Sequence, residues 1–177
     1  EKYLERRQTT QPIPGLHNSQ WVQCPGDVQV PEADLKNYVQ TIMSAFKTND
    51  AIAFWDLYNE VGNSGKYKKA AILQESILMA REVNPTQPIT SGWWNGDASF
   101  KAINEFILQE SDIITFHAYC DVDCTENTIR KFAGMILHIV GENRPLICTE
   151  YMARAMNSKF TTHLPLFKHE SVMYVYS

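Results

Sequence analysis

DIITFHAYCDVDCTENTIRKFAGMILHIVGENRPLICTEY, residues 112–151, holds two short apolar runs with an amphipathic segment between them. The runs DIITFHAY (112–119) and PLICTEY (145–151) are rich in β-branched and aromatic residues, which predicts two buried strands. Residues 126–140 predict a helix that ends at Gly141. Its inward positions recur at helical spacing: Ile129, Phe132, Ile136 and Val140. A strand, a helix and a strand in this order predict a βα unit of a parallel sheet.

The same alternation extends in both directions from this unit. The further predicted elements are a helix over 32–48, a strand over 51–58, a helix over 65–83, a strand over 88–92, a helix capped by Asp97 that carries Phe100, Ile103 and Ile107, a helix that starts at Asn157 or Ser158 and runs to about His169, and a strand over 172–176. Helix and strand alternate regularly, which predicts an α/β fold with a parallel sheet covered on both faces. No G-x-G-x-x-G or G-x-x-x-x-G-K-[ST] follows any strand, which argues against a nucleotide-binding fold.

Residues 1–31 lack periodicity and contain several Pro and Gly, which predicts a long loop. The chain begins without Met, and EKYLERRQTT lacks the apolar centre of a signal peptide. We therefore expect the chain to be a piece of a longer protein.

Charge and hydropathy exclude two classes of partner. The net charge of -4 and the pI of about 5.7 argue against nucleic acid, which needs clustered Lys and Arg. The one dense basic run, residues 66–69, is typical of a solvated helix face. No run of about eighteen apolar residues occurs, so no membrane span is predicted.

Cysteines leave two interpretations open. Cys148 lies inside an apolar run and is predicted to be a small buried hydrophobe. Cys120 and Cys124 form either a loop disulfide or two free thiols, because a zinc site would need a second Cys/His pair. A metal-dependent hydrolase remains a less favoured alternative, with the ligands His117, Asp121, Asp123 and Cys124.

Polar and aromatic residues follow the predicted strands at their carboxyl ends, where parallel α/β folds place their chemistry. They are Asn59-Glu60, Ser91-Gly92-Trp93-Trp94, His117-Ala118-Tyr119 and Glu150-Tyr151. Each alone is more typical of a capping or core residue. Together they indicate a sugar-cleaving site, because glycoside hydrolysis needs paired carboxylates and Trp rings stack on pyranose faces.

These motifs resemble the glycoside hydrolases of clan A, and most closely the family 5-like cellulases and β-glycanases. FWDLYNE resembles the end of the fourth strand of their (β/α)8 barrel, TSGWW the fifth, FHAY the sixth and LICTEY the seventh, while PIPGLHNSQWVQ resembles the loop before the third helix. The resemblance implies a partial (β/α)8 TIM barrel, roughly strands 4 to 8. Residues 1–177 would then be a fragment of one catalytic domain, with 1–31 as the long loop before the third barrel helix.

The resemblance also implies a chemistry. Glu60 corresponds to the acid/base and Glu150 to the nucleophile of a retaining double displacement, without cofactor or metal. Asn59 would bind the sugar 2-hydroxyl, and His117 and Tyr119 would orient Glu150. The remaining implied contacts with a carbohydrate substrate are Trp93, Trp94, His17 and Trp21. Secreted or periplasmic location is typical of the family.

Two departures keep an alternative open. Val61 stands where relatives commonly have Pro, and strands one to three of a barrel have no counterpart in the chain. The alternative is a non-catalytic carbohydrate-binding relative or an inactive fragment. The sugar, the linkage and the oligomeric state stay open at this point.

Overall fold

The structure is a computed structural model that describes residues 32–62 and 70–175. The chain divides into two units, residues 1–38 and 39–177. The described part of the first unit is the beginning of one helix, and the strands and the candidate site belong to the second unit. The predicted loop over 1–31, with His17, Trp21 and Cys24, lies outside the described residues, and so does the basic run 66–69.

Helices and strands alternate along the described chain as the sequence predicts. The helices are α1 (Glu32–Phe46), α2 (Ala70–Val83), α3 (Lys101–Glu110), α4 (Val122–Val140) and α5 (Phe160–His169). The strands are β1 (Trp55–Asp56), β2 (Ile89–Thr90), β3 (Ile114–His117), β4 (Leu146–Glu150) and β5 (Met173–Tyr174). No helix in these ranges is both long and apolar enough to cross a bilayer.

Every strand pair in the described ranges is parallel, which confirms the predicted α/β class. β1 pairs with β2, while β3, β4 and β5 form a second sheet in that order. Hydrogen bonds also join β2 to β3: Asp112 N–H donates to the Ile89 carbonyl at 2.9 Å, and the buried hydroxyls of Thr90 and Thr115 meet at 3.0 Å. Strands that run side by side in chain order bring their carboxyl ends to one edge.

Two clusters of apolar side chains pack the helices against the strands. One packs α4 and α5 on β3 and β4 around Phe116, Phe132, Tyr151 and Phe167. The other packs α2 and α3 on β2 around Leu73, Ile77, Ile89 and Ile107. Cys148 is fully buried in the first cluster, as predicted, and burial raises the pKa of its thiol to about 12.

The predicted boundaries need three corrections. The regular part of the strand predicted over 51–58 begins only at Trp55, because Ile52 N–H donates to the Asn49 carbonyl in a turn. Asp97 stands at the N-cap of the short 3-10 turn Ala98–Phe100 that leads into α3, as predicted, but its side chain makes no capping hydrogen bond, and its own N–H donates to the Asn95 side chain at 2.8 Å. The helix predicted from residue 126 begins at Val122, because the Asp121 carboxylate caps it by accepting the Cys124 N–H at 3.0 Å.

The last helix also starts later than predicted. Asn157 adopts a left-handed conformation with φ 60°, and the Ser158 hydroxyl donates to the Tyr151 carbonyl, so the helix begins at Phe160. Gly141 ends α4 as predicted, with φ 79°.

Cys120 and Cys124 form a disulfide, which selects one of the two interpretations that the sequence left open. The buried His163 ring holds the loop, because its Nε2–H donates to the Cys120 carbonyl at 3.1 Å. Bonded to Cys120, the Cys124 sulfur is not available as a thiolate ligand, so the metal site built on Cys124 is wrong.

Asp112 ties α2 to β2 and makes stability depend on pH. Its carboxylate accepts two bonds from Arg81, at 2.8 and 2.9 Å, and the Ile89 N–H at 2.9 Å. Partial burial opposes ionisation, but the Arg81 bonds and the Ile89 N–H outweigh it and lower the pKa of Asp112. The pKa of an Asp side chain in the unfolded chain is about 3.9. Because the folded-state pKa of Asp112 is lower, ionised Asp112 stabilises the fold at any pH above about 3.9, and this contribution is lost as the pH falls through the folded-state pKa.

We therefore expect Asp112→Asn to lower the free energy of unfolding at pH 7 by about 1 kcal/mol, a modest value because the pair is partly exposed. The difference from wild type should shrink as the pH falls from about 4 towards 2. Urea unfolding at a series of pH values measures it. A difference that stays constant across that range would contradict the assignment.

Candidate active site

Glu60 stands at the end of β1 in an unusual backbone conformation. Its φ of 49° lies in the left-handed region that non-glycine residues rarely adopt, and such residues concentrate at functional sites. The Glu60 N–H donates to the Gly92 carbonyl at 3.1 Å, which fixes the turn against the end of β2. The side chain is 11% exposed. The Glu60 backbone is thus fixed to the end of β2 rather than carried by a free loop.

Gly92 and Asp56 build the support under Glu60. The Gly92 N–H donates to Asp56 Oδ1 at 3.2 Å, and a Cβ on Gly92 would lie 3.3 Å from Asn59 Oδ1 and 3.4 Å from Asp56 Oδ2. Only glycine lets both side chains approach this closely without a shift. The side chain of Asn59 therefore lies directly over the backbone that positions Glu60.

Asp56, the last residue of β1, is a third carboxylate near Glu60 and Glu150. The residue retains exposed surface, but protein around its carboxyl group raises the pKa of Asp56 by desolvation. The Gly92 N–H and the nearby His117 counteract part of that rise, while Glu150 adds to it. Asp56 thus shares an electrostatic environment with the residues at the ends of β3 and β4.

His117 lies between Glu60 and Glu150. Its Nδ1 is 2.5 Å from Glu60 Oε1, and its Nε2 is 3.5 Å from Glu150 Oε1. A register shift between Phe116 and His117 turns the ring into this position, as β-bulges next to functional sites often do. The sequence predicted that His117 supports Glu150, whereas the structure places the shorter contact on Glu60.

Tyr119 and Glu150 complete the group. The Tyr119 hydroxyl donates to Glu150 Oε2, and the Ala118 N–H donates to the Glu150 carbonyl at 2.9 Å. The Glu150 side chain is 24% exposed, so its carboxylate is oriented by Tyr119 on one oxygen and faces His117 with the other, and it remains partly accessible. Four residues predicted from strand ends thus meet in one place: Glu60, His117, Tyr119 and Glu150.

The same group has metal-binding donor types. One ligand atom each from Glu60, His117 and Glu150 lies within 4.8 Å of the other two, which is close enough for one divalent cation. Among the described residues, Asp121 and Asp123 join no such group. Any metal chemistry would therefore involve the two glutamates rather than the CDVDC segment.

The two tryptophans occupy different environments. Trp93 is 6% exposed and packs edge-to-face on Phe132 at 4.6 Å, whereas Trp94 is 38% exposed. Both line a pocket of about 180 Å³ that also reaches His117. Trp94 has the accessible ring that a sugar platform requires, and substrate binding by Trp93, as by Asn59, stays a prediction.

Sequence reasoning missed Asp56 and Gly92. The signal for Asp56 was an acidic residue inside the apolar run AIAFWDLY. The signal for Gly92 was a glycine just after a predicted strand, which often marks a close backbone approach. Neither signal distinguishes a functional support from an ordinary strand end until the partners are known.

Two comparisons with known proteins concern the family and the fold of the chain. The family model described as cellulase (glycosyl hydrolase family 5) matches residues 14–175. Among solved structures, "Structure of N2152 from Neocallimastix frontalis" is similar with a TM-score of 0.57 and 16% identity, over 84% of this chain and 41% of that chain. That likeness concerns the fold alone, and the chain spans less than half the length of that structure. No curated protein matches the chain.

Proposed function

Because the chain belongs to the cellulase family, glycosyl hydrolase family 5, we propose that it carries the catalytic pair of a retaining β-glycosidase. Glu60 is the acid/base and Glu150 the nucleophile. The observation that supports this most is the closeness of the pair, whose nearest oxygens and the His117 nitrogen lie within 4.8 Å of one another. Retaining enzymes hold their carboxyl groups about 5 Å apart, and inverting enzymes hold them at about 6.5 Å or more.

In the first step, Glu150 attacks the anomeric carbon and forms an ester bond while Glu60 gives its proton to the departing glycosidic oxygen. In the second step, Glu60 takes a proton from water, the water oxygen attacks the same carbon, and Glu150 is released as carboxylate. Tyr119 orients Glu150 by donating a hydrogen bond to one of its carboxylate oxygens, and His117 holds the Glu60 and Glu150 carboxylates in position. Asn59 binds the sugar 2-hydroxyl.

The five parallel strands correspond in this proposal to strands 4 to 8 of a (β/α)8 barrel, of which residues 1–177 form part of one catalytic domain. Strand neighbours in chain order, with helices between them, support that placement. The substrate is a β-linked oligo- or polysaccharide. The Cys120–Cys124 disulfide supports a secreted or periplasmic location, where disulfides persist.

The test is hydrolysis of soluble β-glucan, xylan and mannan and of aryl β-glycosides, followed by proton NMR of the first product. We expect the β-anomer to appear first and to mutarotate later. The double variant Glu60→Gln/Glu150→Gln, purified in the same way, controls for contaminating hydrolases. An α-anomer as first product would contradict a retaining mechanism.

Gly92→Ala tests the support under the catalytic acid. The added Cβ displaces the Asn59 side chain by a few tenths of an ångström and touches Asp56, so we expect kcat/KM to fall roughly tenfold with a stability loss of about 1 kcal/mol. Gly134→Ala on α4 is the matched control, because a Cβ there meets nothing within 4 Å. If the two variants are equally active, Gly92 does not help to position Glu60.

A further inference from the structure

The pocket beside His117 combines apolar walls with a few polar groups. Trp93, Phe132 and Met135 give it apolar walls, Trp94 adds an accessible ring, and Thr128 and Lys131 add polar groups. At about 180 Å³ it is smaller than the roughly 300 Å³ at which pockets for drug-sized ligands begin. Its size and lining suit a single sugar ring rather than a chain.

Lys131 is the feature that the proposed hydrolysis does not use. None of the carboxylates in the described ranges pairs with its ammonium group, whereas the neighbouring Arg130 is bound to Glu126 and approaches Glu170. The ammonium also lies against Gly96, where a Cβ would be only 2.6 Å from Nζ. A compact positive charge thus lies at the pocket wall, with glycine providing the space that it occupies.

His117 connects this pocket to the reaction centre, since the same ring contacts Glu60 at 2.5 Å. The Thr128 hydroxyl donates its proton to the Cys124 carbonyl, so this hydroxyl can only accept a hydrogen bond from a ligand in the pocket that it lines. A sugar hydroxyl can donate to that oxygen, but an anionic group cannot. The anionic group of a ligand therefore belongs at Lys131.

We propose that this pocket is a subsite for a sugar residue that carries an anionic substituent, a carboxylate or a sulfate ester, paired with Lys131. The inference rests on the proposed function, because it names the substrate class of the same cleft. Because Lys131 is exposed, its ammonium gives a modest, salt-sensitive preference rather than an absolute requirement.

The test compares three β-linked oligosaccharides that differ at one residue: glucose, glucuronic acid or glucose 6-sulfate. At low ionic strength we expect wild-type kcat/KM to favour an anionic probe over the neutral one, and Lys131→Met to lower that ratio about threefold to fivefold. Lys168→Met on α5 removes the same charge at an exposed position and should leave the ratio unchanged. The probe with the larger ratio decides between carboxylate and sulfate.

A wild-type ratio at or below one, or a ratio that Lys131→Met does not change, would overturn the proposal. Gly96→Ala is a second variant that keeps the charge but displaces the ammonium, so it should lower the ratio without removing Lys131. Calorimetric binding of the same probes gives the ratio without turnover. If neither these probes nor β-glucan, xylan, mannan and the aryl β-glycosides are hydrolysed, the proposed function fails, while the binding ratio still decides the role of the pocket.

Discussion

Glu150→Gln should abolish hydrolysis, with kcat/KM lower by on the order of 10⁴-fold to 10⁶-fold. The amide matches the carboxylate in size and still accepts the Tyr119 hydroxyl, but it cannot form the glycosyl ester. Because the Glu150 side chain is 24% exposed and Gln has the same shape, the substitution removes the nucleophile with little change in packing. Initial rates on an aryl β-glycoside measure the loss, and circular dichroism checks the fold.

Glu142→Gln is the matched control, since it makes the same chemical change on an exposed side chain in the turn after α4. We expect its kcat/KM to stay within about twofold of wild type. A folded Glu150→Gln protein that retains a tenth or more of the activity would show that another residue attacks the sugar.

Glu60→Gln should give a loss that depends on the leaving group. With a natural oligosaccharide, departure needs the proton, and general acid catalysis contributes about 10²-fold to 10⁴-fold, so a loss of that size is expected. With a dinitrophenyl β-glycoside, the first step needs no proton and proceeds, and the glycosyl-enzyme accumulates because no base activates water. Azide, which needs no base, should restore turnover and give the β-glycosyl azide by displacing Glu150 from the anomeric carbon.

Equal losses on both substrates, without azide rescue, would assign Glu60 a supporting role instead of proton transfer. His117→Asn separates the two cases further. His117 contacts Glu60 at 2.5 Å, so if Glu60 transfers the proton, His117→Asn should lower the rate on the oligosaccharide more than on the dinitrophenyl glycoside, and less severely than Glu60→Gln does.

The sequence predicted the meeting of Glu60, His117, Tyr119 and Glu150 because all four follow apolar runs. In a parallel sheet, the carboxyl ends of neighbouring strands share one edge, so strand-end position translates directly into proximity. Periodicity likewise located α4 and its buried residues Ile129, Phe132 and Ile136.

Competition between local hydrogen bonds determines features that the sequence pattern alone does not predict. The start of the last helix was misplaced because Asn157 and Ser158 both have capping chemistry, and the start of α4 was misplaced because Asp121 caps it. Only neighbouring bonds select among such residues. The bulge at His117 moved its shorter contact to Glu60, and no periodicity reports a bulge. Trp93 and Trp94 are adjacent and identical, yet packing on Phe132 buries only the first.

The most direct test of the catalytic pair is intact mass after incubation with a panel of activated 2-deoxy-2-fluoro β-glycosides, followed by peptide mapping. The fluorine slows release of the glycosyl-enzyme, so the proposed mechanism predicts one sugar adduct on the peptide that contains Glu150. An adduct on a different residue, or continued hydrolysis without any adduct and with an α-anomer as first product, would contradict it.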